Sequence, residues 1–268
     1  MKKMILTTGL ALGAMTSTLK AQMKADSLSQ TDKDTFHLTV TPPPAIRSTA
    51  AGLVVPAVMI GYGFAALNMH SLVDLNHSTS KELIEHNPDF HTSIDNYLQY
   101  APVAAVYALN LAGVHGKHNF RDRTIILGIA AVFTAGSVEA VKHITHEMRP
   151  DGSDNLSFPS GHTATAFASA EFLRQEYKDV SPWYGVAGYA AATATGALRM
   201  YNNKHWFSDV VAGAGFGILS TKAAYWVYPW IQRKLFKNST NGHAATTVLP
   251  YYNAQWHSAG LSVVLFPR

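Results

Sequence analysis

The chain of 268 residues contains no cysteine, which excludes disulfides and thiolate-bound metals and leaves its compartment undecided. It is also short of charge. Asp, Glu, Lys and Arg together make up 14% of the residues, where a soluble domain carries about a quarter. That shortfall points to a membrane or an unusually large core. Lys and Arg outnumber Asp and Glu by 21 to 17, a net charge of +4, but no arm or stripe gathers the excess, so no nucleic-acid partner is expected. Mean hydropathy is only +0.01, below that of a simple polytopic transporter, because the ends and several loops are polar.

What the chain has in quantity is apolar sequence, 47% of its residues, and its length favours one domain or one large helical bundle. Six helical stretches are expected at roughly 51–68, 98–115, 122–146, 162–177, 182–199 and 207–230. They are rich in Ala, Gly and Val, which lets helix backbones approach closely. Several come near bilayer-spanning length, although 98–115 and 162–177 are short. Tyr97, Tyr100, Trp183, Tyr184, Trp206, Phe207, Tyr225, Trp226, Tyr228 and Trp230 gather near stretch ends, as aromatic belts do, with ordinary packing the alternative. Residues 69–97 read as a long polar loop carrying His70, His77, His86 and His91; a lid or binding loop is expected there, and no metal site.

At the N-terminus, Lys2 and Lys3 precede an apolar run from Met4 to Met15, a pattern like a secretory signal cleaved after Ala21, with an uncleaved anchor as the alternative. Residues 22–50 are polar and extended. In the polar tail, 231–268, Thr246–Tyr252 and Gly260–Phe266 read as a small hairpin. The expected architecture is therefore all-α: a helical catalytic bundle over 51–230, membrane-embedded or membrane-associated, with a short extended C-terminal hairpin.

Three clusters carry the chemistry. Lys142 and Arg149 are seven apart, two turns on one face if the third stretch continues that far, and Pro150 ends it. Pro159-Ser160-Gly161-His162 sits at a loop-to-helix junction, where free backbone N–H groups favour an anion. Ser160 can also simply cap the helix. Arg199 is followed by His205 and Asp209, which are four apart and would share a helix face. A carboxylate beside an imidazole fixes its tautomer and frees the opposite nitrogen. Each cluster alone has a structural explanation. Together they supply three long cations, two histidines and a carboxylate, a set suited to holding phosphate and breaking a P–O bond without a metal.

In their order and spacing these clusters resemble the signature of the type 2 phosphatidic acid phosphatase superfamily, which includes lipid phosphatases, bacterial acid phosphatases and vanadium haloperoxidases. The resemblance covers 142–209, and the six-helix reading agrees with the family core. It implies a six-helix bundle and a phosphatase with no cofactor. It further implies that Lys142, Arg149 and Arg199 bind phosphate, with hydroxyl and backbone contacts from Ser160 and Gly161. His162 would protonate the leaving group, and His205 would form a phosphohistidine with Asp209 orienting it. One departure stands out: Leu198 occupies a position where the family usually has Ser, so one phosphate hydrogen bond is missing. The expected substrate is a phosphorylated membrane lipid (lipid A, undecaprenyl diphosphate or phosphatidylglycerol phosphate), with the lipid A kind preferred. A secreted broad-range acid phosphatase and a vanadium haloperoxidase are the alternatives.

The clusters fall at one end of the expected bundle. The other end carries Lys117, Arg121, Arg123, Arg174, Lys178, Arg233, Lys234 and Lys237, which by the positive-inside rule would face the cytoplasm. That puts the site in the bacterial cell envelope, facing the periplasm. A cleaved signal followed by six spans would invert it, so the two expectations conflict unless some of the helices do not span.

Overall fold

The computed structural model describes residues 51–236, 245–253 and 258–266. The expected signal at 1–21 and the extended segment at 22–50 lie outside the described residues. Eight helices follow in order: α1 Ala51–Ala66, α2 His70–His86, α3 Ile94–Leu98, α4 Ala101–Leu111, α5 Phe120–Thr145, α6 Gly161–Tyr177, α7 Pro182–Tyr201 and α8 Phe207–Leu235. In the tail β1, Ala245–Asn253, pairs antiparallel with β2, Ser258–Phe266, in the register Ala245↔Phe266 to Asn253↔Ser258, the hairpin expected from sequence.

The six expected apolar stretches appear as α1 and α4 to α8. The expected loop at 69–97 does not: most of it is helical, as α2 and α3. These helices lack a long apolar run, so their sequence pattern was weak, and tertiary contacts hold them instead. The buried Asn76 amide donates to Ser208 Oγ at 2.8 Å and accepts from the Ser208 backbone N–H at 3.1 Å. Asn202 likewise accepts from Thr92 N and donates to Thr92 O, at 3.0 and 2.8 Å. The axis turns by 92° between α1 and α2, so α2 crosses the end of the bundle to which α1 delivers it.

Side chains at the helix starts explain several boundaries. Asn119 caps α5 by accepting from Asp122 N at 2.9 Å, and Ser181 caps α7 ahead of Pro182 at the first helical position. α5 stops at Thr145 because His146 takes the left-handed conformation, φ 48°. The helix therefore does not continue to Arg149, contrary to the two-turn expectation.

α6 lies at the centre, packed by α7 on one side and α8 on the other. α8 approaches it closely through glycines. A Cβ on Gly213 would sit 2.6 Å from the Ser160 carbonyl oxygen, and one on Gly217 would collide with the carbonyl of Ala164. Away from the site the core joins Val106, Ile126, Phe172, Leu173, Tyr177 and Tyr225. Two buried carboxylates of α6 sit in this half. Glu171 accepts from Arg174, Gln175 and Tyr189 and pairs with Lys222 at 3.0 Å. Glu176 accepts from His118 Nδ1 and Tyr225 OH, each at 2.7 Å, and faces Arg123 Nε at 3.4 Å.

Two described helices, Phe120–Thr145 and Phe207–Lys234, are long and apolar enough to cross a membrane, and the bent α1–α2 pair makes a third if counted as one span. The two stretches expected to be short, 98–115 and 162–177, appear as α4 and α6, and α6 is largely buried within the bundle. Leu111, Phe120, Val132, Ile144 and Trp183 are all more than two-thirds exposed. So much outward-facing apolar surface marks a membrane-associated chain.

The glycine seam gives a stability prediction. Gly217→Val should cost about 1–3 kcal/mol or more through overpacking, read as a lower midpoint in detergent thermal unfolding. Gly61→Ala, whose added Cβ meets nothing within 4 Å, should not lower it.

Candidate active site

The three sequence clusters meet at one end of the bundle: the last turn of α5, the 146–160 loop, the first turn of α6, the last turn of α7 and the turn into α8. Each cation is fixed by an acceptor. Lys142 is buried, and its ammonium donates to the Leu156 carbonyl. Arg149, reached through the loop, donates from Nε to Asp154 Oδ1 at 2.7 Å and from Nη1 to Lys204 O at 3.2 Å. Arg199 donates from Nη1 to Asp95 Oδ2 at 2.6 Å, and Asp95 is fully buried. Arg199 Nε is buried without a partner among the described residues, a donor whose desolvation none of them offsets.

His205 is 3% exposed and precedes α8 rather than lying on it. The helix-face expectation for His205 and Asp209 is therefore replaced by a cap: Asp209 Oδ2 accepts from Trp206 N at 2.9 Å. His205 Nδ1 lies 3.4 Å from that same oxygen, beyond a normal hydrogen bond. Between them sits Ser157, whose hydroxyl donates to Asp209 Oδ2 at 2.5 Å and lies 3.4 Å from His205 Nδ1. The opposite imidazole nitrogen, Nε2, is 3.4 Å from Arg149 Nη1. His205 Nε2 thus faces the cations while Nδ1 faces the carboxylate.

Ser160 is the N-cap of α6, accepting from Thr163 N at 3.4 Å and Thr163 Oγ1 at 2.9 Å, with Gly161 opening the helix. Its own N–H donates to Asp209 O at 3.0 Å, which ties the first turn of α6 to that of α8. His162 Nε2 lies 2.8 Å from Asn96 Oδ1 of α3. All eight residues expected from sequence are thus found around this one end. Leu198 is only partly buried and offers no hydroxyl there.

Residues 123–233 match the profile of the PAP2 superfamily. Over these residues the chain is similar to that superfamily. A lipid A 1-phosphatase of Porphyromonas gingivalis is 44% identical over 147 residues, which are 54% of this chain but 33% of the relative, so the chain spans about a third of that protein's length. Among solved structures, Aquifex aeolicus LpxE matches with a TM-score of 0.41 and 20% identity, over 54% of this chain and 92% of that one. A PAP2-type phosphatidylglycerolphosphate phosphatase from Bacillus subtilis matches with a TM-score of 0.40 and 16% identity, over 68% and 97%.

Several residues at the site escaped sequence reasoning. Ser157 and Asp154 fall inside the PAP2 segment, close to recognised motif positions, and that nearness was the one hint available. Asp95 and Asn96 fall outside that segment, in the stretch read as a loop, and nothing in their sequence context marked them.

Burial pushes the His205 imidazole well below its ordinary value of 6.5, and Arg149, Arg199 and Lys142 push it the same way. His162 is lowered too, by burial first and then by Arg199, with Asp95 opposing. Both rings are consequently neutral in the free protein near neutral pH. A depressed native value means that the unfolded chain binds more protons below pH 6.5, so the stability His205 contributes is present above that value and lost as pH falls toward the native one. His205→Gln should therefore flatten the loss of thermal stability between neutral and mildly acidic pH, measured by unfolding at a series of pH values.

Proposed function

We propose that the chain is a lipid phosphatase that cleaves a phosphoric ester or diphosphate through a phosphohistidine, without a cofactor. The observation that carries this reading is a cavity of about 620 Å³ that opens beside Gly161 and His162 and runs between α4, α5 and α6. Val103, Leu127, Ala131, Ala135, Val138 and Ala168 line it. An apolar slot that opens at Gly161 and His162, the residues of the anion-binding turn, suits a molecule with a phosphate at the end of a hydrocarbon chain. A broad-range acid phosphatase acting on small soluble esters would have no use for the slot.

The chemistry follows from the arrangement. Lys142, Arg149 and Arg199 bind the phosphate oxygens and offset the charge of the in-line transition state, with the unpartnered Arg199 Nε as one donor and the Ser160 hydroxyl and Gly161 backbone as further contacts. His205 Nε2 attacks phosphorus; a P–N bond forms as the bond to the leaving oxygen breaks. Asp209, with Ser157 between, takes up the charge that develops on Nδ1. His162 gives a proton to the leaving oxygen. It then removes one from the water that displaces His205 and returns the site to its starting state.

The identity to a lipid A 1-phosphatase over half of the chain makes lipid A the first substrate to test, ahead of undecaprenyl diphosphate and phosphatidylglycerol phosphate. We place the site on the periplasmic side of the cell envelope. Exposed Lys117, Arg121, Arg233 and Lys234 at the far end favour that orientation. Arg123 and Arg174 count less, since they pair with Glu176 and Glu171 inside the bundle.

Two measurements test the function. Phosphate release from a panel of these lipids in detergent, without added metal, should fall by about 10³-fold or more in His205→Ala; full activity in that variant would disprove the assigned nucleophile. Ala131→Trp should raise KM for a long-chain phosphate while sparing a short-chain one, and equal effects on both would remove the slot from substrate binding.

A further inference from the structure

The proposed mechanism asks His162 to carry a proton in the first step and accept one in the second, yet the PAP2 segment supplies no partner that sets which ring nitrogen does this. The structure supplies one from outside it. Asn96 Oδ1 lies 2.8 Å from His162 Nε2. A carbonyl oxygen only accepts, so Nε2 holds its hydrogen there and Nδ1 is the nitrogen left to exchange a proton.

Asn96 is itself held. Its neighbour Asp95 is fully buried and anchored on Arg199, Gln99 Nε2 donates to Asn96 O at 2.9 Å, and Asn96 N donates to Ser93 O at 3.1 Å. Thr92, two residues before α3, is fastened to Asn202 just after α7. α3 therefore moves with Arg199, and its amide is delivered to His162 in fixed register with the phosphate-binding arginine. The pair stands at the mouth of the apolar cavity, where Gln99, Tyr100 and His162 all form part of the wall, so a bound substrate would cover a contact that is exposed in the free protein.

We propose that Asn96 is a positioning residue for the proton transfer: it holds Nε2–H of His162 in both protonation states, so that Nδ1 gives its proton to the leaving oxygen from the imidazolium and, in the neutral Nε2–H tautomer that results, takes the proton of the attacking water. This rests on the reading of His162 as the acid. In the first step His162 reacts as the imidazolium, protonated on Nδ1 once the bound phosphate offsets the neighbouring cations; the Nδ1 proton goes to the leaving oxygen, which keeps the electron pair of the broken P–O bond, and His162 is left as the neutral Nε2–H tautomer. In the second step one water proton returns to Nδ1, the water oxygen bonds to phosphorus, and the P–N pair returns to His205. Asn96 accepts from Nε2–H throughout. The charged groups facing His162 are Arg199 of α7, Lys142 and Glu139 of α5, Arg149 of the 146–160 loop and Asp95 of α3. The three cations disfavour its protonation, which makes a neutral acceptor on Nε2–H more valuable.

Two substrates with the same chain and different leaving groups separate this from a structural role: dodecyl phosphate, whose alkoxide needs a proton, and 4-dodecylphenyl phosphate, whose phenolate needs one far less. Asn96→Ala should lower kcat for the alkyl ester by about 10-fold or more, with a much smaller loss for the aryl ester and little change in KM. In a His162→Ala background it should add nothing. Asn96→Asp, which also accepts from Nε2–H but adds a negative charge, should retain the alkyl activity and move the alkaline limb of kcat to higher pH. Equal losses on both esters, or a further loss on top of His162→Ala, would overturn the proposal. If His162→Ala itself spares the alkyl ester, the acid assignment fails first, a different and separately visible outcome.

Discussion

Positive charges crowded into a half-buried site repel one another, and the active-site end of this chain is built around that constraint. Lys142, Arg149 and Arg199 come from three separate elements, and none is held by a partner within its own helix. Leu156 O holds Lys142, Asp154 and Lys204 O hold Arg149, and Asp95 holds Arg199. The dependence runs both ways. The 146–160 loop and the turn into α8 lack regular backbone pairing, so the cations stitch down the segments that present them. Only Asp95 and Asp154 among these acceptors are charged. Among the described residues Lys142 is thus held by a carbonyl alone, with no carboxylate bonded to its ammonium.

The same logic separates the two ends of the bundle. At the far end Glu171 and Glu176 are wholly buried, and each is surrounded by donors from several helices. Breaking such a buried group from its partners costs more than forming it gains, so the network fixes register more than it adds stability. Its consequence for topology is specific. Arg123 and Arg174 are spent on internal carboxylates, which lowers the number of cations free to face lipid headgroups. The expected conflict between an export signal and the positive-inside rule held for six spans; among the described residues two helices, or three with the bent pair, are long and apolar enough to cross a membrane.

The apolar stretches were legible because periodicity and small-residue content report on helices that bury themselves against other helices, as α6 and α8 do. α2 and α3 were not, because what makes them helical is remote: the Asn76 amide against Ser208, and Thr92 against Asn202. The motif residues were legible as a set, while their local geometry was not. Spacing placed His205 and Asp209 on one helix face, whereas the chain uses Asp209 to cap Trp206 and leaves His205 before the helix. A spacing of four residues fits both arrangements, and only the backbone turn distinguishes them. Ser157, Asp95 and Asn96 act through contacts with motif residues far away in sequence, and a local pattern carries no trace of those.

The long His205–Asp209 contact has a physical sense once the cations are considered. In the free protein, burial and three positive neighbours keep the imidazole neutral, so Nδ1 has no positive charge for Asp209 to grip, and the carboxylate bonds more tightly to Ser157 and the Trp206 N–H. A neutral imidazole is also the form that can attack phosphorus. A phosphate dianion entering the site brings negative charge onto the same cations and reverses their effect on the ring. In the proposed mechanism, attack through Nε2 then makes the ring cationic at the moment when its positive neighbours are offset and Asp209 lies opposite. On that proposal, the cations that lower the pKa of His205 keep its ring neutral while the site is empty, and cease to oppose its charge when substrate is bound.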